Sequence, residues 1–112
     1  ELGRLTNLKT LVLTGNRFTG TFPSELNSLT SLEYLSIAYN MLAGNVNETL
    51  SELPSSLIAL RLEFNMLTGQ IPSSLFQLPS LAILDLSSNG LIGSLPTSIG
   101  RATKLQYLDL GH

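Results

Sequence analysis

Side chains that could perform chemistry are few in this sequence. There is no cysteine, and the only histidine is His112, at the C-terminal end. A disulfide framework or a thiolate metal site is therefore excluded within these residues, and no Ser-His-acid arrangement can be assembled around one terminal histidine. No spacing typical of metal ligands occurs. The sequence therefore predicts no catalytic, cofactor-binding or metal-binding residues, and no cofactor.

Carboxylates are the remaining reactive groups, and four of them fall in segments that alternate apolar and polar residues. We expect these four to be ordinary solvated surface groups on the outer faces of strands: Glu33, Glu63, Asp85 and Asp109. Charged residues make up only 12% of the chain and the net charge is −2 without a basic run, which argues against a nucleic-acid partner. No apolar run approaches the ~18 residues of a membrane span, so we expect no membrane contact by this segment.

The sequence segments that contain these side chains are repeated along the chain. Each unit contains an L-x-x-L-x-[LI]-x-x-N run, seen as LKTLVLTGN, LEYLSIAYN, LIALRLEFN and LAILDLSSN. Fixed-period self-similarity of this kind is the signature of a solenoid. We place the repeats at about 8–31, 32–56, 57–80 and 81–104, with partial units at 1–7 and 105–112. The asparagines that end these runs are spaced by 24, 25 and 24 residues: Asn16, Asn40, Asn65 and Asn89.

The second half of each unit makes the pattern specific. It reads FTGTFPSEL, LAGNVNETL, LTGQIPSSL and LIGSLPTSI. The whole unit, LxxLxxLxLxxNxLxGxIPxxLxxL, resembles the plant-type leucine-rich repeat, and GNVN in the second unit is the one clear departure. The resemblance implies an α/β-class leucine-rich repeat solenoid, a right-handed and predominantly β superhelix. Its parallel sheet would line the concave face, with short helical turns and loops on the convex side.

Within a unit, alternation indicates a short strand. Leu60 and Leu62 alternate with Arg61 and Glu63, so their side chains fall on opposite faces. Equivalent strands of successive units are expected to pair in parallel, about 4.8 Å apart. We therefore predict one parallel sheet of about five short strands and no helix longer than about three turns.

The repeated asparagines are predicted to form a structural ladder. Asn65 follows the strand where the chain turns into the core, and its side chain can pair with backbone groups that the turn leaves without partners. Gly69 is expected at a tight bend that requires positive φ or a close approach of the backbone. After it, Pro72 is expected to begin a single helical turn.

Asn47-Glu48-Thr49 is an N-glycosylation acceptor pattern. Asn47 stands where the other units have proline, so we expect it to be exposed near a turn. The same replacement makes this unit the one expected to depart from regular geometry.

The two ends resemble cuts through an array. Residues 1–7 match the tail of a unit, and the chain stops one position before the next repeat asparagine. Neither end has the polar cap that terminal units of a solenoid normally need, so Leu105, Leu108 and Leu110 would face water. We expect an internal part of a longer array. The resemblance implies that any caps, membrane span or kinase domain lie outside this segment.

Outer-face residues can be aligned in columns, since equivalent positions on adjacent strands are neighbours. The column before the asparagine sets Tyr39 beside Phe64, and the central column sets Arg61 beside Asp85. Aromatic residues next to an arginine are the types that dominate binding hot spots. The alternative is that the aromatics only cover a corner and the charges are ordinary surface pairs. The predicted binding patch consists of Tyr34, Tyr39, Arg61, Glu63, Phe64 and Asp85.

The resemblance implies a non-catalytic ligand- or protein-binding segment of a cell-surface or secreted receptor or recognition protein. Its partners would be a protein or peptide ligand, a co-receptor ectodomain or a cell-wall enzyme, as for polygalacturonase-inhibiting proteins. The alternative is a structural or adhesion solenoid that contacts ice or polysaccharide, which a long row of threonines would favour. The third position of the strand run is no such row: Thr10, Tyr34, Ala59, Ile83 and Tyr107.

Overall fold

The computed structural model describes residues 5–111. Residues 1–4 of the predicted partial unit 1–7, and His112, lie outside that range. Each L-x-x-L-x-[LI] run forms a three-residue strand, because its alternating leucines have one face to bury. Further short strands, of two to four residues, follow the asparagines of three units. The strands, in chain order, are β1 (Thr10–Val12), β2 (Tyr34–Ser36), β3 (Ala43–Asn45), β4 (Ala59–Arg61), β5 (Met66–Gly69), β6 (Ile83–Asp85), β7 (Gly90–Leu91) and β8 (Tyr107–Asp109).

Five of these strands form one parallel sheet in the order β1-β2-β4-β6-β8, called here the five-strand sheet. Its register follows the repeat, with Arg61 of β4 between Ser36 of β2 and Asp85 of β6. The middle residue of each strand points inward, and Leu35, Leu60 and Leu84 are fully buried. The predicted parallel sheet of short strands is confirmed.

A second parallel sheet, of order β3-β5-β7, follows the asparagine turns. The sequence analysis did not predict it. These strands have two to four residues and include glycines, so they carry no alternating apolar pattern that would reveal them. They pair because stacking of the units brings equivalent backbone segments to strand spacing.

The return path of most units is a single 3₁₀ turn that begins after a proline. These turns are Ser24–Ser28, Ser73–Gln77 and Thr97–Arg101, capped by Pro23, Pro72 and Pro96. In the second unit, where Asn47 replaces the proline, the chain forms one α-helical turn, α1 (Val46–Thr49). No helix among residues 5–111 is longer than five residues, as predicted, and none there is long and apolar enough to cross a membrane.

The core lies between the two sheets and the helical turns. Its side chains come from equivalent positions of successive units, so leucines stack on leucines along the solenoid axis. Leu26 and Leu75 of the 3₁₀ turns and Leu50 after α1 are at most 1% exposed. At ~2 kcal/mol for each fully buried leucine, this stacking is the main source of stability.

A side-chain amide holds each turn after the five-strand sheet. Asn65 Nδ2 donates to the carbonyls of Leu62 and Ile37, both at 3.0 Å, and its Oδ1 accepts from the N–H of Leu42 at 2.9 Å. Leu62 belongs to the same unit, whereas Ile37 and Leu42 belong to the preceding one. Equivalent hydrogen bonds to the preceding unit are made by Asn40 and Asn89.

Glycine is required at the bend between the second sheet and the return path. Gly69 has φ +88°, and a Cβ at this position would collide with the side-chain amide of Asn45 in the preceding unit. Both the conformation and the close packing exclude larger residues.

We expect Asn65→Ala to lower the free energy of unfolding by about 2–3 kcal/mol, because it leaves buried backbone groups of two units without partners. Asn16 is the matched control, since within residues 5–111 its exposed amide donates only to the carbonyls of Leu13 and Thr14 in its own turn. Asn16→Ala should cost less than about 1 kcal/mol. Urea unfolding followed by circular dichroism measures both, and equal losses would contradict the cross-unit role of the amide.

Candidate functional site

Two exposed aromatic rings stand at the edge of the five-strand sheet, where the chain leaves it. Tyr39 and Phe64 are stacked, with ring centroids 4.5 Å apart and ring planes 13° from parallel. They remain 53% and 47% exposed, so the stack shields only part of their apolar surface. A stacked pair contributes about 0.5–1.5 kcal/mol beyond its buried area, and half of each ring is left for another molecule.

The backbone beneath these rings is in a conformation that aromatic residues rarely adopt. Tyr39 and Phe64 both have φ +57°, and the equivalent residues Gly15 and Ser88 also have positive φ. The corner therefore imposes this conformation on every unit, whatever the residue. A bulky side chain there costs roughly 1–2 kcal/mol, and such strain often marks a functional position.

Hydrogen bonds to the next unit explain why the corner persists despite this strain. The N–H of Tyr39 donates to the carbonyl of Glu63 at 2.9 Å, and the N–H of Phe64 donates to that of Ser87 at 3.1 Å. The corner is thus fixed by backbone pairing between units, and its side chains have no part in that pairing.

A charged cluster occupies the central column of the same sheet face. Arg61 Nη1 lies 3.6 Å from Glu63 Oε1 and 3.7 Å from Asp85 Oδ2. Both distances exceed the usual range of a hydrogen bond, so these are ion pairs without directed hydrogen bonds. With Arg61 a third exposed, each pair is worth at most ~1 kcal/mol.

The expectation that all four carboxylates are solvated is wrong for Asp85 and Glu63. Asp85 is only 5% exposed, because its Oδ1 accepts hydrogen bonds from the N–H and the hydroxyl of Ser87, at 3.0 and 2.6 Å. These bonds hold the carboxylate against the end of its own strand, where it is shielded from solvent. A short acidic side chain at a strand terminus can thus be structural even on the outer face.

Glu63 is also largely covered, with a side chain 12% exposed. Its Oε2 is buried and has no hydrogen-bond partner within residues 5–111. Burial raises the pKa of the Glu63 carboxyl above its ordinary value of 4.5, and the nearby charge of Asp85 raises it further, while Arg61 opposes both effects. The cluster therefore holds one carboxylate that the fold does not fully satisfy.

Tyr107 is a member of this cluster that sequence reasoning missed. The Arg61 guanidinium lies over its ring, with Cζ 5.8 Å from the centroid, within the range of a cation–π contact. The charge of Asp85 raises the pKa of the Tyr107 hydroxyl. The column that contains Tyr107 was visible in the sequence, but a contact across the intervening strand β6 depends on the Arg61 rotamer.

The structure places the six predicted patch residues in three places. Tyr39 and Phe64 meet at the corner, and Arg61 joins Glu63 and Asp85 in the central column. The two groups are linked along the chain, since Glu63 precedes Phe64. Tyr34 lies on β2, opposite Ala59 of the neighbouring strand β4 and therefore two residues short of Arg61. It lies three strands from Tyr107 in the same row, about 14 Å at the usual strand spacing.

Stacked units, parallel strands and asparagine turns define a leucine-rich solenoid. Models of the leucine rich repeat match residues 6–67 and 55–112, which together span nearly the whole chain. The chain belongs to the leucine-rich repeat family. The prediction made from the repeat unit is confirmed.

The chain is similar to plant receptors and receptor-like proteins. The chain is 38% identical over 100 residues to receptor-like protein 35 of Arabidopsis thaliana, covering 89% of the chain and 10% of that protein. It superposes on the leucine-rich repeat ectodomain of the Arabidopsis membrane receptor kinase GASSHO1/SCHENGEN3, solved with Casparian strip integrity factor 2. That match has a TM-score of 0.90 and 37% identity, over 97% of this chain and 13% of the other. The chain thus spans about a tenth of these relatives.

Two further solved structures show that the fold serves different partners. The Arabidopsis receptor kinase HAESA, in complex with the peptide hormone IDA and the co-receptor SERK1, matches with a TM-score of 0.87 and 32% identity, over 97% of this chain and 18% of that one. A plant ice-binding protein matches with a TM-score of 0.81 and 38% identity, over 90% and 32%. Fold alone therefore does not define the ligand.

We expect asparagine substitutions to separate strain from stacking at the corner, because asparagine tolerates positive φ. Tyr39→Asn or Phe64→Asn alone loses the stack and relieves one strained residue, so each should change the free energy of unfolding by less than about 1 kcal/mol. The double variant should be no less stable than either single variant, since the stack is lost only once. Ser88→Asn, at the same φ without a stack, is the control. Additive losses in urea unfolding would contradict this account.

The raised pKa of Glu63 predicts a pH dependence of stability. The folded state favours the protonated carboxyl more than the unfolded state does, so Glu63 destabilises the fold at neutral pH and less so as the pH falls towards 4.5. Glu63→Gln should therefore melt higher than the parent chain at pH 7, and the difference should shrink on acidification. Thermal melts from pH 7 to 4.5 measure this, with exposed Glu52→Gln as control. A difference in melting temperature between Glu63→Gln and the parent chain that grows as the pH falls would contradict this prediction.

Proposed function

We propose that this chain is a non-catalytic recognition segment of an extracellular receptor or receptor-like protein. In this proposal the outer face of the five-strand sheet binds a peptide or protein partner. Tyr39 and Phe64 serve as the apolar anchor, and Arg61 with Glu63 and Asp85 as the adjoining polar contact.

Similarity to plant receptors supports the class of function and the extracellular location. One relative is a receptor-like protein, and the superposed structures include a receptor ectodomain and a receptor kinase bound to a peptide hormone and a co-receptor. A peptide ligand, a co-receptor ectodomain or a cell-wall enzyme would all present extended or loop segments to a sheet face.

The observation that carries the proposal is the strained and exposed aromatic pair. The corner position is filled by Gly15 in the first unit, so the fold does not need a ring there. Two adjacent units nevertheless have aromatic residues, whose strain of roughly 1–2 kcal/mol each is offset by stacking and by burial of about half of each ring. A partner that covers the exposed halves would add further apolar burial.

The charged cluster beside the rings suits a polar contact. Arg61 keeps a third of its side chain in solvent, and its ion pairs lack directed hydrogen bonds, so its guanidinium donors are open to a carbonyl or carboxylate of a partner. The buried oxygen of Glu63 lacks a donor. A partner segment could therefore bind the guanidinium without breaking a directed hydrogen bond, whereas the Glu63 oxygen is buried out of a partner's reach.

A second candidate function is contact with ice or polysaccharide, which the similarity to a plant ice-binding protein favours. The outer face of the five-strand sheet is irregular, since its central column changes from Val12 through Ser36 and Arg61 to Asp85. Measuring ice recrystallisation with the parent chain and with Tyr39→Ala distinguishes the two functions. Inhibition that does not depend on Tyr39 would favour the second.

We expect the patch to act as a hot spot when a peptide is bound. A phage-displayed random peptide library, panned on the chain, supplies the probe, and the enriched peptide is measured by isothermal titration calorimetry. Tyr39→Ala, Phe64→Ala and Arg61→Ala should each weaken binding by over ~1 kcal/mol, with circular dichroism showing an unchanged fold.

Matched changes on the same sheet face are the controls for this measurement. Thr14→Ala and Ser88→Ala should alter the affinity by less than a factor of two to three. Equal small losses at all five sites, or a library that yields no binder, would contradict a binding site at these residues.

A further inference from the structure

We infer that Asn47 is a modification site that carries an N-linked oligosaccharide. Asn47-Glu48-Thr49 is the one acceptor triplet among the eight asparagines of the chain. Entry into the secretory pathway, which this inference requires, is part of the proposed function.

Asn47 stands at a position where the repeat otherwise requires no side-chain amide. The equivalent residues are Pro23, Pro72 and Pro96, which cap the 3₁₀ turns with extended backbones and no N–H. Replacing proline introduces an N–H that the regular geometry leaves without a partner. The fold satisfies it through Asn45, whose Oδ1 accepts from the N–H of Asn47 at 2.9 Å.

This accommodation changes the return path of the second unit. With Asn45 as its cap, the chain enters the α-helical turn α1 at Val46, one residue before the proline position. Val46 and Leu50, four residues apart, are both buried, so they lie on the inner face of the turn. Asn47 and Glu48 are exposed on the opposite face.

The side chain of Asn47 is free for modification. Its backbone N–H is bound, but its side-chain amide makes no hydrogen bond within residues 5–111. In this it differs from the repeat asparagines Asn40 and Asn65, whose amides are buried and hold the turns. Replacing Asn47 by glutamine therefore removes no contact on which the fold depends.

The chemistry joins the amide to a sugar. Asn47 Nδ2 forms a bond to the anomeric carbon of a lipid-diphosphate-linked oligosaccharide, and the bond from that carbon to the diphosphate oxygen breaks. The diphosphate leaves with the electron pair, and Nδ2 loses one proton. The acceptor triplet also requires a hydroxyl-bearing residue two positions after the asparagine, and Thr49 is that residue.

Placement of the glycan is compatible with the proposed binding surface. The turn α1 packs against β3 and β5 of the second sheet, whereas Tyr39, Phe64 and Arg61 belong to the outer side of the five-strand sheet. The oligosaccharide would project from the return path, and the aromatic corner would stay open to a partner.

The test is secretion of the chain from mammalian cells behind a heterologous signal peptide, followed by intact-mass measurement. We expect a discrete mass increase that peptide N-glycosidase F removes, leaving aspartate at position 47 in the peptide map. Asn47→Gln and Thr49→Ala should abolish the increase, whereas Thr49→Ser should retain it. Asn7→Gln, at an exposed asparagine outside any acceptor triplet, should have no effect.

A secreted parent chain without the added mass, or with the mass retained in Asn47→Gln, would overturn the inference. The peptide map of the parent chain decides the matter even if a variant is not secreted. Loss of glycosylation would leave the peptide-binding measurement unaffected, so failure here is distinguishable from failure of the proposed function.

Discussion

The side-chain amide that joins one unit to the preceding one, buried at Asn40 and Asn65, is the interaction on which the rest of the solenoid depends. Asn65 supplies donors to carbonyls of two units and an acceptor for the N–H of Leu42. Aspartate lacks the donors, and without the amide these backbone groups would be buried and unpaired. Because one amide contacts two units, each turn is fixed by its neighbour. The register of the five-strand sheet and the start of β3, one residue after Leu42, both follow from it.

The same turn sets the backbone conformation of the proposed recognition surface. Backbone hydrogen bonds to the next unit impose positive φ on the residue before each asparagine. The fold therefore requires this backbone conformation, but it does not require any particular side chain at the position. Glycine would satisfy that conformation without strain. Tyr39 and Phe64 instead combine strain of about 1–2 kcal/mol each with one stacking contact of comparable or smaller size. Burial of about half of each ring adds apolar stabilisation, so stacking and burial together offset the strain. The exposed half of each ring is the physical reason for proposing this pair as a binding anchor.

Much of the fold could be predicted, because the repeat shows which residues are equivalent in successive units. Equivalent leucines and asparagines must stack on one another, and Arg61 must lie beside Asp85. The second sheet could not be predicted, since β3, β5 and β7 are paired by the stacking of whole units and have no apolar pattern of their own. Burial of Asp85 was hidden as well, because it depends on hydrogen bonds to Ser87 at the strand end. The contact of Arg61 with Tyr107 depends on a rotamer. In each case the missing information lies in side-chain geometry between units, which spacing along the chain does not contain.

In a repetitive fold, departures from the repeat are the informative positions, since the repeating ones are accounted for by burial and hydrogen bonding. Tyr39, Phe64 and Arg61 depart on the sheet face, and Asn47 departs on the return path. Two half-exposed rings offer about 200 Å² of surface, whereas a stable partner covers about 800 Å² on each side. The rings can therefore anchor a partner without forming its whole interface. Strands about 4.8 Å apart bring a new outer-face residue at each unit, so in the proposed function the rest of the contact would extend along the sheet, across Arg61 and towards Tyr107.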